Sequence, residues 1–373
     1  MIPFSRHVMA PNELEHVRDA LTSGATSGDG RHTRAASALL SAAVGGSPVL
    51  LTTSCSHALE MAVMLCDLGP GDEVIVPSFT FSSSANAVRL RGASIRFADI
   101  DAGSWSMGPD EALAAWTPRT RAVMAVAYNG ISHRIDALAA LCEARGVPLL
   151  LDAAQSFGAV QAGRPGAAWG RVAAMSFHAT KNLSSGEGGA LILNDRSLLH
   201  RAEMIREKGT DRGRFLRGEI DKYTWRTIGS SYLPSDVLAA VLRAQLEAGD
   251  AIQAHRHSIW NGYHDVLAHA ALPGLALQQF QHGDQHPAHM FALLVPDAAQ
   301  RPAFVAALGS DGIKAVSHYE PLHRAPAHDG DELLPVTDNV AARIVRLPLH
   351  GDLTVDQARW IAGRVAHHLT HGA

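Results

Sequence analysis

Residues 171–189 read RVAAMSFHATKNLSSGEGG, and they place Lys181 between an apolar run and a glycine-rich turn. The apolar residues before Phe177 are typical of the end of a buried strand. A buried lysine is costly unless its charge is paired or removed, so a surface position is the ordinary interpretation of such a residue. The surrounding sequence provides the features that favour a reactive lysine instead.

The chain before this stretch alternates between apolar runs and helical patterns. Strands are predicted at PVLLTT, EVIVP, SIRFADI, RAVMAVAY and VPLLLDAAQ, with helices at SHALEMAVMLC, SSANAVRLR, PDEALAAW and IDALAALCEAR between them. Strands that are apolar throughout are typical of a mainly parallel sheet with helices on both faces. We therefore expect an α/β fold, in which a chain of 373 residues forms a large domain and a smaller one.

The domain boundary is predicted near residue 250. Residues 208–234 are polar, basic and aromatic without periodicity, which indicates an ordered functional loop, since long structureless loops are otherwise uncommon. Ser235 is a plausible N-cap of a long helix that bridges the domains, with Val237, Leu238, Val241, Leu242 and Leu246 at helical spacing. We predict a large domain over 1–249 and a small α/β domain over 250–373. The large domain includes an N-terminal helix with Leu14, Val17 and Leu21 on one face.

Composition excludes several classes of protein. With 47% hydrophobic and 18% charged residues the chain is an ordinary globular protein. Its net charge of −4 gives no general attraction for nucleic acid or for an anionic membrane. The cysteines Cys55, Cys66 and Cys142 form no CxxC pair, which favours free thiols in a reducing compartment. Since no signal peptide or membrane span is visible, we expect a cytoplasmic protein.

The 21 histidines raise the question of a metal site. The pairs His255 and His257, His282 and His286, and His367 and His368 fall in polar or terminal stretches, without an HExxH motif or cysteine partners. We interpret them as solvated surface residues and predict no metal.

Polar side chains follow several of the predicted strands. Asp152 follows VPLLL, Ser54 follows VLLTT, and Ser176 and Lys181 follow RVAAM. In open α/β sheets, ligands bind beyond the carboxyl ends of the strands. Asp152 alone could be a helix N-cap or a turn residue. A carboxylate and a lysine at neighbouring strand ends favour a binding site instead.

Pyridoxal phosphate chemistry requires both a lysine and a carboxylate. The lysine amine forms a Schiff base with the cofactor aldehyde, and the carboxylate keeps the pyridine nitrogen protonated. The phosphate requires hydroxyls and backbone N–H groups at a helix N-terminus, which Ser54, Cys55 and Ser56 supply in TTSCSHALE. The stretch PSFTFSSS offers an aromatic residue that can stack on the ring.

Six motifs carry a resemblance to a known family. They are TTSCSHALEMA, GPGDEVIVPSFTFSSSANAV, DAAQSFGA, SFHATKNLSSGEGGAL, HYEPLH and RLPLH. In this order they resemble the DegT/DnrJ/EryC1/StrS sugar aminotransferases, which are pyridoxal-phosphate enzymes of the aspartate-aminotransferase fold (fold type I). Residues 205–236 are similar to the TDP-4-keto-6-deoxyglucose 4-aminotransferases, which make TDP-4-amino-4,6-dideoxy sugars.

The resemblance implies roles for the cofactor residues. Lys181 is the lysine that carries the cofactor and moves the proton, and Asp152 pairs with the pyridine nitrogen. Gln155 hydrogen-bonds near the phenolic oxygen and Phe81 stacks on the ring. The phosphate is held by Ser54, Ser56, the Cys55 backbone and the Ser176 hydroxyl. Cys55 replaces the glycine that is usual in the family. Ser231 replaces an asparagine that in many relatives reaches the neighbouring subunit's phosphate, and the shorter serine leaves this contact open or mediated by water.

The resemblance also implies the reaction and its partners. Glutamate gives its amino group to the cofactor, leaving 2-oxoglutarate and pyridoxamine phosphate, and the amine then passes to the C4 ketone of a TDP-linked sugar. Apart from the resemblance, the sugar diphosphate requires cations, which the basic residues of the loop can supply. The expected substrate-binding residues are Arg212, Arg217, Lys222, Tyr223, Trp225, His318, Tyr319 and His323. A solvated run of charges and histidines packed in a core are the alternatives for this set. Loop 208–234 is expected to cross the interface of a homodimer, so that two subunits share each active site.

Three alternatives remain open. An aminotransferase that acts at C3 or on a cyclitol would keep the same cofactor residues, and only the segment DKYTW disfavours it. A dehydratase of the family would have a histidine in place of Lys181. A non-catalytic protein with this fold would be expected to lose Lys181, Asp152 or Ser176.

Overall fold

Twelve β-strands form three sheets within residues 1–270 and 272–371, the part of the chain that the computed structural model describes. They are β1 (Val49–Thr52), β2 (Glu73–Pro77), β3 (Ser94–Ala98), β4 (Thr120–Val126), β5 (Leu149–Asp152), β6 (Val160–Gln161), β7 (Arg164–Pro165), β8 (Val172–Ser176), β9 (Gly189–Leu193), β10 (Ala276–Leu277), β11 (Phe291–Leu294) and β12 (Ile344–Leu347).

Thirteen α-helices accompany the strands in the same residues. They are α1 (Glu13–Thr22), α2 (Arg31–Ala43), α3 (Cys55–Leu65), α4 (Ser82–Arg89), α5 (Pro109–Ala114), α6 (Ile135–Ala144), α7 (Leu199–Arg206), α8 (Arg212–Leu216), α9 (Asp236–Glu247), α10 (Gly249–Leu267), α11 (Arg301–Ser310), α12 (Pro335–Arg343) and α13 (Val355–His371). No helix within these described ranges is both long and apolar enough to cross a membrane.

The largest sheet has seven strands in the order β1-β9-β8-β5-β4-β2-β3. Every neighbouring pair from β8 to β3 is parallel, and β9 runs antiparallel to both β1 and β8. This arrangement confirms the predicted α/β fold with a mostly parallel sheet. As a result, the carboxyl ends of β1, β2, β5 and β8 lie at the same edge.

Both faces of this sheet are covered by helices. Consecutive side chains of a strand point to opposite faces, so Leu150 and Leu151 of β5 belong to different hydrophobic clusters. One cluster includes residues of α2, α6 and α9, and the other includes residues of α3, α4 and α7. The apolar character of the strands follows from this burial on two sides.

A three-stranded antiparallel sheet, β10-β11-β12, forms a second core. Its apolar face packs with residues of α10, α11 and α13. The Tyr263 hydroxyl on α10 donates a hydrogen bond of 2.8 Å to the Pro348 carbonyl. The division of the chain at residues 249 and 250 stays a prediction, although this second core is built from residues beyond that point.

The predicted single bridging helix is two helices. Ser235 caps α9 as predicted, since its hydroxyl accepts a hydrogen bond from the Leu238 N–H. Helix α9 ends at Glu247, Ala248 caps it, and α10 begins at Gly249. Glycine is a weak helix former, and a Cβ at Gly249 would lie 3.3 Å from the Phe157 ring. Since Phe157 is distant in sequence, the helical periodicity around Gly249 carries no sign of this contact.

The N-terminal helix α1 buries a face different from the predicted one. Leu14 and Leu21 are 62% and 56% exposed, whereas Glu13 and Ala20 are buried. The Glu13 carboxylate accepts hydrogen bonds from the Ala10 N–H at 3.0 Å and the Gln245 side chain at 2.8 Å. The polar anchor sets the orientation of the helix and leaves the leucine face uncovered in the single chain.

Loop 208–234 is ordered by backbone pairing. Glu207 forms a β-bridge with Ser231, and Thr210 forms one with Trp225. The short helix α8 lies in the segment between Thr210 and Trp225. The loop therefore has a defined conformation and is not a flexible linker.

The N-terminus of α2 is capped by a residue distant in sequence. Asp236 is buried, and its carboxylate accepts hydrogen bonds from the Thr33 N–H and hydroxyl, both at 2.7 Å, and from the His32 N–H at 3.2 Å. The N-cap itself is Gly30, where an added Cβ would collide with this carboxylate. Asp236 therefore supplies the cap that Gly30 lacks.

We expect Asp236→Ala to lower the free energy of unfolding by about 3 kcal/mol, because it leaves first-turn donors of α2 without a charged acceptor. Urea unfolding followed by circular dichroism at fixed protein concentration measures the change. Asp265→Ala, at an exposed position within α10, is the control and should change the value by less than about 0.5 kcal/mol. Equal values for the two variants would contradict the capping role.

Candidate active site

A cavity of about 470 Å³ lies at the carboxyl ends of β1, β5 and β8. Its wall on the sheet side comes from the turns that follow these strands. The other wall comes from Phe4 and from residues beyond 288. The side chains of interest that line it are Ser54, Cys55, Ser56, Phe81, Asp152, Gln155, Ser176, Lys181, His289, His318, Tyr319 and Arg346.

Lys181 lies in the turn after β8. Its backbone N–H donates a hydrogen bond of 2.9 Å to the His178 carbonyl, and its side chain lines the cavity. Burial lowers the pKa of the Lys181 amine, and the nearby Cys55 and Asp152 act in the opposite direction. The site therefore favours the neutral amine more than water does.

Asp152 ends β5 and is buried beside the same cavity. The Ser84 hydroxyl donates to one carboxylate oxygen at 2.7 Å and the Ala154 N–H donates to the other at 3.1 Å. Burial raises the pKa of Asp152, and these two hydrogen bonds oppose the rise. The carboxylate is thus held in one orientation without a cationic partner at ion-pair distance within residues 1–270 and 272–371.

The N-termini of α3 and α4 meet at the cavity. The Ser54 hydroxyl accepts from the His57 N–H at 3.2 Å, and the Ser56 and Ser83 hydroxyls are hydrogen-bonded at 2.6 Å. Cys55 is buried between them, and β9 approaches so closely that a Cβ at Gly189 would collide with the Cys55 backbone. Hydroxyls and backbone N–H groups at helix N-termini form a site for an anion such as phosphate.

Gln155 is fixed by two hydrogen bonds. Its side-chain oxygen accepts from the Asn129 N–H at 2.7 Å, and its amide donates to the Tyr319 hydroxyl at 3.1 Å. Phe81 lies at the cavity mouth, 59% exposed, with its ring centroid 6.3 Å from that of Tyr319. Both residues therefore share the cavity with Lys181 and Asp152.

The structure brings His318 and Tyr319 to the cavity as well. Their rings are stacked with centroids 3.6 Å apart, and His318 Nδ1 lies 3.0 Å from the Tyr128 hydroxyl. Burial lowers the pKa of His318 to about 2. This imidazole is therefore neutral at physiological pH.

His323, by contrast, does not reach the cavity. It is buried against Ser78, whose hydroxyl lies 2.7 Å from Nδ1 and accepts the His323 N–H at 3.0 Å. Its Nε2 lies 3.2 Å from the Asp338 carboxylate. In this chain the histidine ties the HYEPLH segment to the residue after β2, and its contact with substrate stays a prediction.

The residues of loop 208–234 do not line the cavity of their own chain. Arg217 is paired with both oxygens of Glu203 at 3.0 and 3.1 Å, and Arg212 lies 3.6 Å from Glu207. Lys222 is exposed and has no ion pair within the described part of the chain. The aromatic residues Tyr223 and Trp225 are 43% and 74% exposed, and Ser231 is also exposed.

Sequence reasoning missed His289. Its Nδ1 lies 2.8 Å from Asn182 Oδ1, and the Asn182 amide donates to the Pro287 carbonyl and to Gln253 at 2.8 Å each. Because a carbonyl can only accept, the Asn182 oxygen must face the imidazole, and Nδ1 must carry the proton. Burial lowers the pKa of His289 well below its usual range, so Nε2 remains an acceptor. No local sequence signal marks this residue.

Arg346 was also missed, although RLPLH places it inside an otherwise apolar motif. The guanidinium lines the cavity and lies 4.6 Å from the centroid of the Phe4 ring. An arginine at a strand position flanked by buried residues was the available signal.

Some of the other histidines differ from the prediction. His257 and His286 are partly buried and their rings lie 5.2 Å apart, and His286 also packs against Trp260 and Phe280. Burial lowers the pKa of His286 to about 4. They are packed residues and not solvated ones. Among the described residues, no group of three or more His, Cys, Asp and Glu side chains is placed to hold a metal ion.

Comparison with known proteins identifies the family. The sequence profile of the DegT/DnrJ/EryC1/StrS aminotransferase family matches residues 8–366. The chain belongs to this family. It is therefore a pyridoxal-phosphate-dependent aminotransferase of the sugar aminotransferase group.

Solved structures of this family resemble the chain over its whole length. The aminotransferase TlmJ from Streptoalloteichus hindustanus is 29% identical, with 99% of each chain covered and a TM-score of 0.91. DesV from S. venezuelae is 29% identical, covering 100% of this chain and 99% of DesV with a TM-score of 0.90. A 3-amino-5-hydroxybenzoic acid synthase is 28% identical, covering 100% and 99% with a TM-score of 0.88.

The cavity of this family member fits pyridoxal phosphate. It combines an amine with a lowered pKa at Lys181, a buried carboxylate at Asp152 and hydroxyl groups at two helix N-termini. These three groups match the aldehyde, the ring nitrogen and the phosphate in chemical character.

Burial also disfavours the thiolate forms of the three cysteines. It raises the pKa of Cys55 well above its usual range, that of Cys66 to about 11 and that of Cys142 to about 12. Only the thiolate is nucleophilic, so a raised pKa lowers the reactive fraction at neutral pH.

We expect iodoacetamide to modify the three thiols slowly in the native holoenzyme at pH 7.5, and Cys66, the most accessible, to react faster as the pH rises toward 11. Mass spectrometry of time-resolved digests measures each site separately. The same protein in urea is the control, since unfolded thiols recover a pKa of about 8.5. Equal native and unfolded rates for Cys55 at pH 7.5 would contradict its buried environment.

Proposed function

We propose that this enzyme transfers the amino group of glutamate to the C4 ketone of a TDP-linked 4-keto-6-deoxyhexose, giving a TDP-4-amino-4,6-dideoxyhexose. One observation supports the aminotransferase chemistry: Lys181 and Asp152 line the same cavity. The C4 position and the TDP group are supported by the resemblance of residues 205–236 to enzymes of that specificity.

We assign the cofactor to the residues that line the cavity. Lys181 would hold the cofactor covalently through its amine, and the Asp152 carboxylate would accept a hydrogen bond from the protonated ring nitrogen. Gln155 would hydrogen-bond near the phenolic oxygen, and Phe81 would stack on the ring. The phosphate-binding groups are Ser54, Ser56, Ser176 and the Cys55 backbone N–H. When bound, the cofactor supplies a ring that accepts electrons from the reacting carbon.

Lys181 moves the protons of both half-reactions. Once the incoming amino group has displaced it from the cofactor, the Lys181 amine would take the proton from the α-carbon of glutamate in the first half and deliver a proton to C4 of the sugar in the second. A base must be neutral, and burial favours that form by lowering the pKa of the lysine. As the pH falls through this lowered pKa the amine becomes protonated, so the rate is expected to fall with it.

Asp152 is oriented for its role by its neighbours. The hydrogen bonds from Ser84 and Ala154 hold the carboxylate at the end of β5 and oppose the rise in pKa that burial causes. A carboxylate kept ionised in this position stabilises a protonated ring nitrogen.

We also propose a homodimer in which loop 208–234 serves the partner's cavity. The loop does not reach the cavity of its own chain, yet it exposes Lys222 and Trp225. The exposed leucines of α1 offer apolar surface for an interface. Ser231 would then approach the partner's phosphate directly or through water.

A second candidate is a C3 sugar or cyclitol aminotransferase. It is favoured by the likeness to 3-amino-5-hydroxybenzoic acid synthase, whose name describes a product that is not a sugar.

The cytoplasmic location stays a proposal, supported by the free thiols of Cys55, Cys66 and Cys142.

Incubation of the holoenzyme with TDP-4-keto-6-deoxyglucose and glutamate should yield an amino sugar with nitrogen at C4, identified by NMR. Lys181→Ala should lower turnover by about a thousandfold or more, because it removes both the covalent attachment and the base. Lys314→Ala, at an exposed position outside the cavity, is the control and should retain full activity. Amination of a 3-ketosugar or cyclitol in preference to the 4-ketosugar would favour the second candidate.

Subunit mixing tests the shared site. Lys181→Ala subunits mixed with subunits that carry both Lys222→Ala and Trp225→Ala should recover activity, because one site of each heterodimer contains neither defect. The expected recovery is about half of wild-type activity per heterodimer if the sites act independently. As a matched control, Lys181→Ala mixed with Asp152→Asn should recover nothing, since both changes lie in the cavity of their own chain. Demonstrated exchange without recovery in the first mixture would show that the loop serves its own chain.

A further inference from the structure

His289 is a buried polar residue of the active-site cavity to which the proposed function gives no role. It lies two residues before β11, is 8% exposed, and lines the cavity. Its Nδ1 faces Asn182, which does not line the cavity, so the ring edge that carries Nε2 is the one turned toward it. Within residues 1–270 and 272–371, Nε2 has no hydrogen-bond partner. Because buried polar atoms are normally paired, this free nitrogen indicates a ligand.

A chain of side-chain amides fixes the tautomer of this imidazole. The Gln253 amide nitrogen donates to the Phe157 and Pro287 carbonyls, both at 3.1 Å, so its oxygen is left to accept from the Asn182 amide at 2.8 Å. That amide also donates to the Pro287 carbonyl at 2.8 Å. The Asn182 oxygen must then accept from Nδ1 of His289, since carbonyls cannot donate. Nε2 is therefore a hydrogen-bond acceptor.

The surroundings keep the imidazole neutral and fixed in position. Burial lowers the pKa of His289 well below its usual range, and the nearby charges of Lys181 and Arg256 act in the same direction. The Arg256 guanidinium also holds the backbone, since it donates to the Ala288 carbonyl at 3.1 Å and to the His289 carbonyl at 2.6 Å. The cavity thus contains a rigid, uncharged acceptor.

The chemistry of Nε2 determines which ligand group it can bind. A carboxylate has no proton to donate at neutral pH, and the Lys181 amine is bound to the cofactor in the holoenzyme under the proposed function. A sugar hydroxyl is a donor. In a 4-keto-6-deoxyhexose, C5 carries a methyl group, whereas C3 carries a hydroxyl one bond from the reacting carbon. This hydroxyl must enter the cavity together with the ketone.

We propose that His289 Nε2 accepts a hydrogen bond from the hydroxyl on the carbon next to the reacting ketone, which is C3 in a 4-ketosugar. The inference rests on the proposed function in that the amino acceptor is a ketosugar. His289 then determines specificity in the second half-reaction, because a deoxy analogue would leave its buried acceptor unpaired. Glutamate makes no use of it.

Two substitutions separate the roles of the two ring nitrogens. His289→Asn keeps an amide that can donate to Asn182 from the position of Nδ1, but it has no atom at the position of Nε2. His289→Gln can place an amide oxygen near the position of Nε2. If the residue only supported the fold around Asn182, Asn would be the milder change. If it binds the substrate, Gln is the milder change.

The two half-reactions of the holoenzyme are followed by the change in cofactor absorbance. With the pyridoxamine form and TDP-4-keto-6-deoxyglucose, His289→Asn should lower the ratio of maximal rate to half-saturating concentration about tenfold, as loss of a buried hydrogen bond predicts. His289→Gln should recover part of this loss. The half-reaction of the pyridoxal form with glutamate should change less than about twofold. His269→Asn, at an exposed position just after α10, is the control and should match the wild type.

A deoxygenated substrate tests the contact itself. A TDP-4-keto-3,6-dideoxy sugar, which lacks the C3 hydroxyl, should react about tenfold less efficiently with the wild type, and His289→Asn should lower its rate no further. Binding gives a second readout that requires no turnover. Calorimetric titration of the pyridoxamine form with TDP-6-deoxyglucose, which has no ketone, should show an affinity weakened by a similar factor in His289→Asn.

Two results would overturn the assignment in variants whose thermal unfolding matches the wild type. Equal losses in both half-reactions would show that His289 positions the turn of Lys181, and the same loss on the 3-deoxy sugar as on the parent would show that the hydroxyl is not its partner. Failure of the proposed substrate is distinguishable from both. The wild type then still reacts with glutamate but does not aminate the 4-ketosugar, and the comparison is made with the ketone that it accepts and the analogue deoxygenated next to it.

Discussion

The central constraint on this molecule is the burial of charged groups at one edge of a parallel sheet. Parallel pairing brings the carboxyl ends of β1, β5 and β8 together, and the turns that follow them carry Ser54, Asp152 and Lys181. The residues beyond 288 close the cavity from the other side, which removes water from these groups. Because desolvation penalises the charged form, the amine of Lys181 is made easier to deprotonate than it is in water.

The same burial affects the groups around the cavity in different ways. The imidazoles of His289 and His318 become neutral hydrogen-bonding groups, and the carboxylate of Asp152 needs hydrogen bonds to offset its rise in pKa. Arg346 cannot become neutral by losing its proton, since a guanidinium stays charged in proteins.

Much of the sheet and of its polar edge could be predicted, because apolar strands and the polar residues that end them are local features. Lys181 and Asp152 were identified in this way. The missed features depend on contacts between distant residues. A hydrogen bond with Ser78 holds His323 outside the cavity. The Arg346 guanidinium lies over the Phe4 ring. The tautomer of His289 is determined by its hydrogen bond with Asn182. Contacts between residues so distant in sequence leave no periodic pattern in it.

The charges of loop 208–234 show why residue type alone is weak evidence for a ligand site. Its arginines suggested a diphosphate site, yet Arg217 already forms two hydrogen bonds with Glu203, and Arg226 pairs with Asp211 at 2.6 Å. The charges of these arginines therefore form ion pairs that stabilise the fold of the loop. Lys222 remains exposed without an ion pair in the described chain, whereas Arg346 is enclosed. Under our proposal, the cofactor binds to groups of one chain, and the nucleotide sugar also requires the partner's loop.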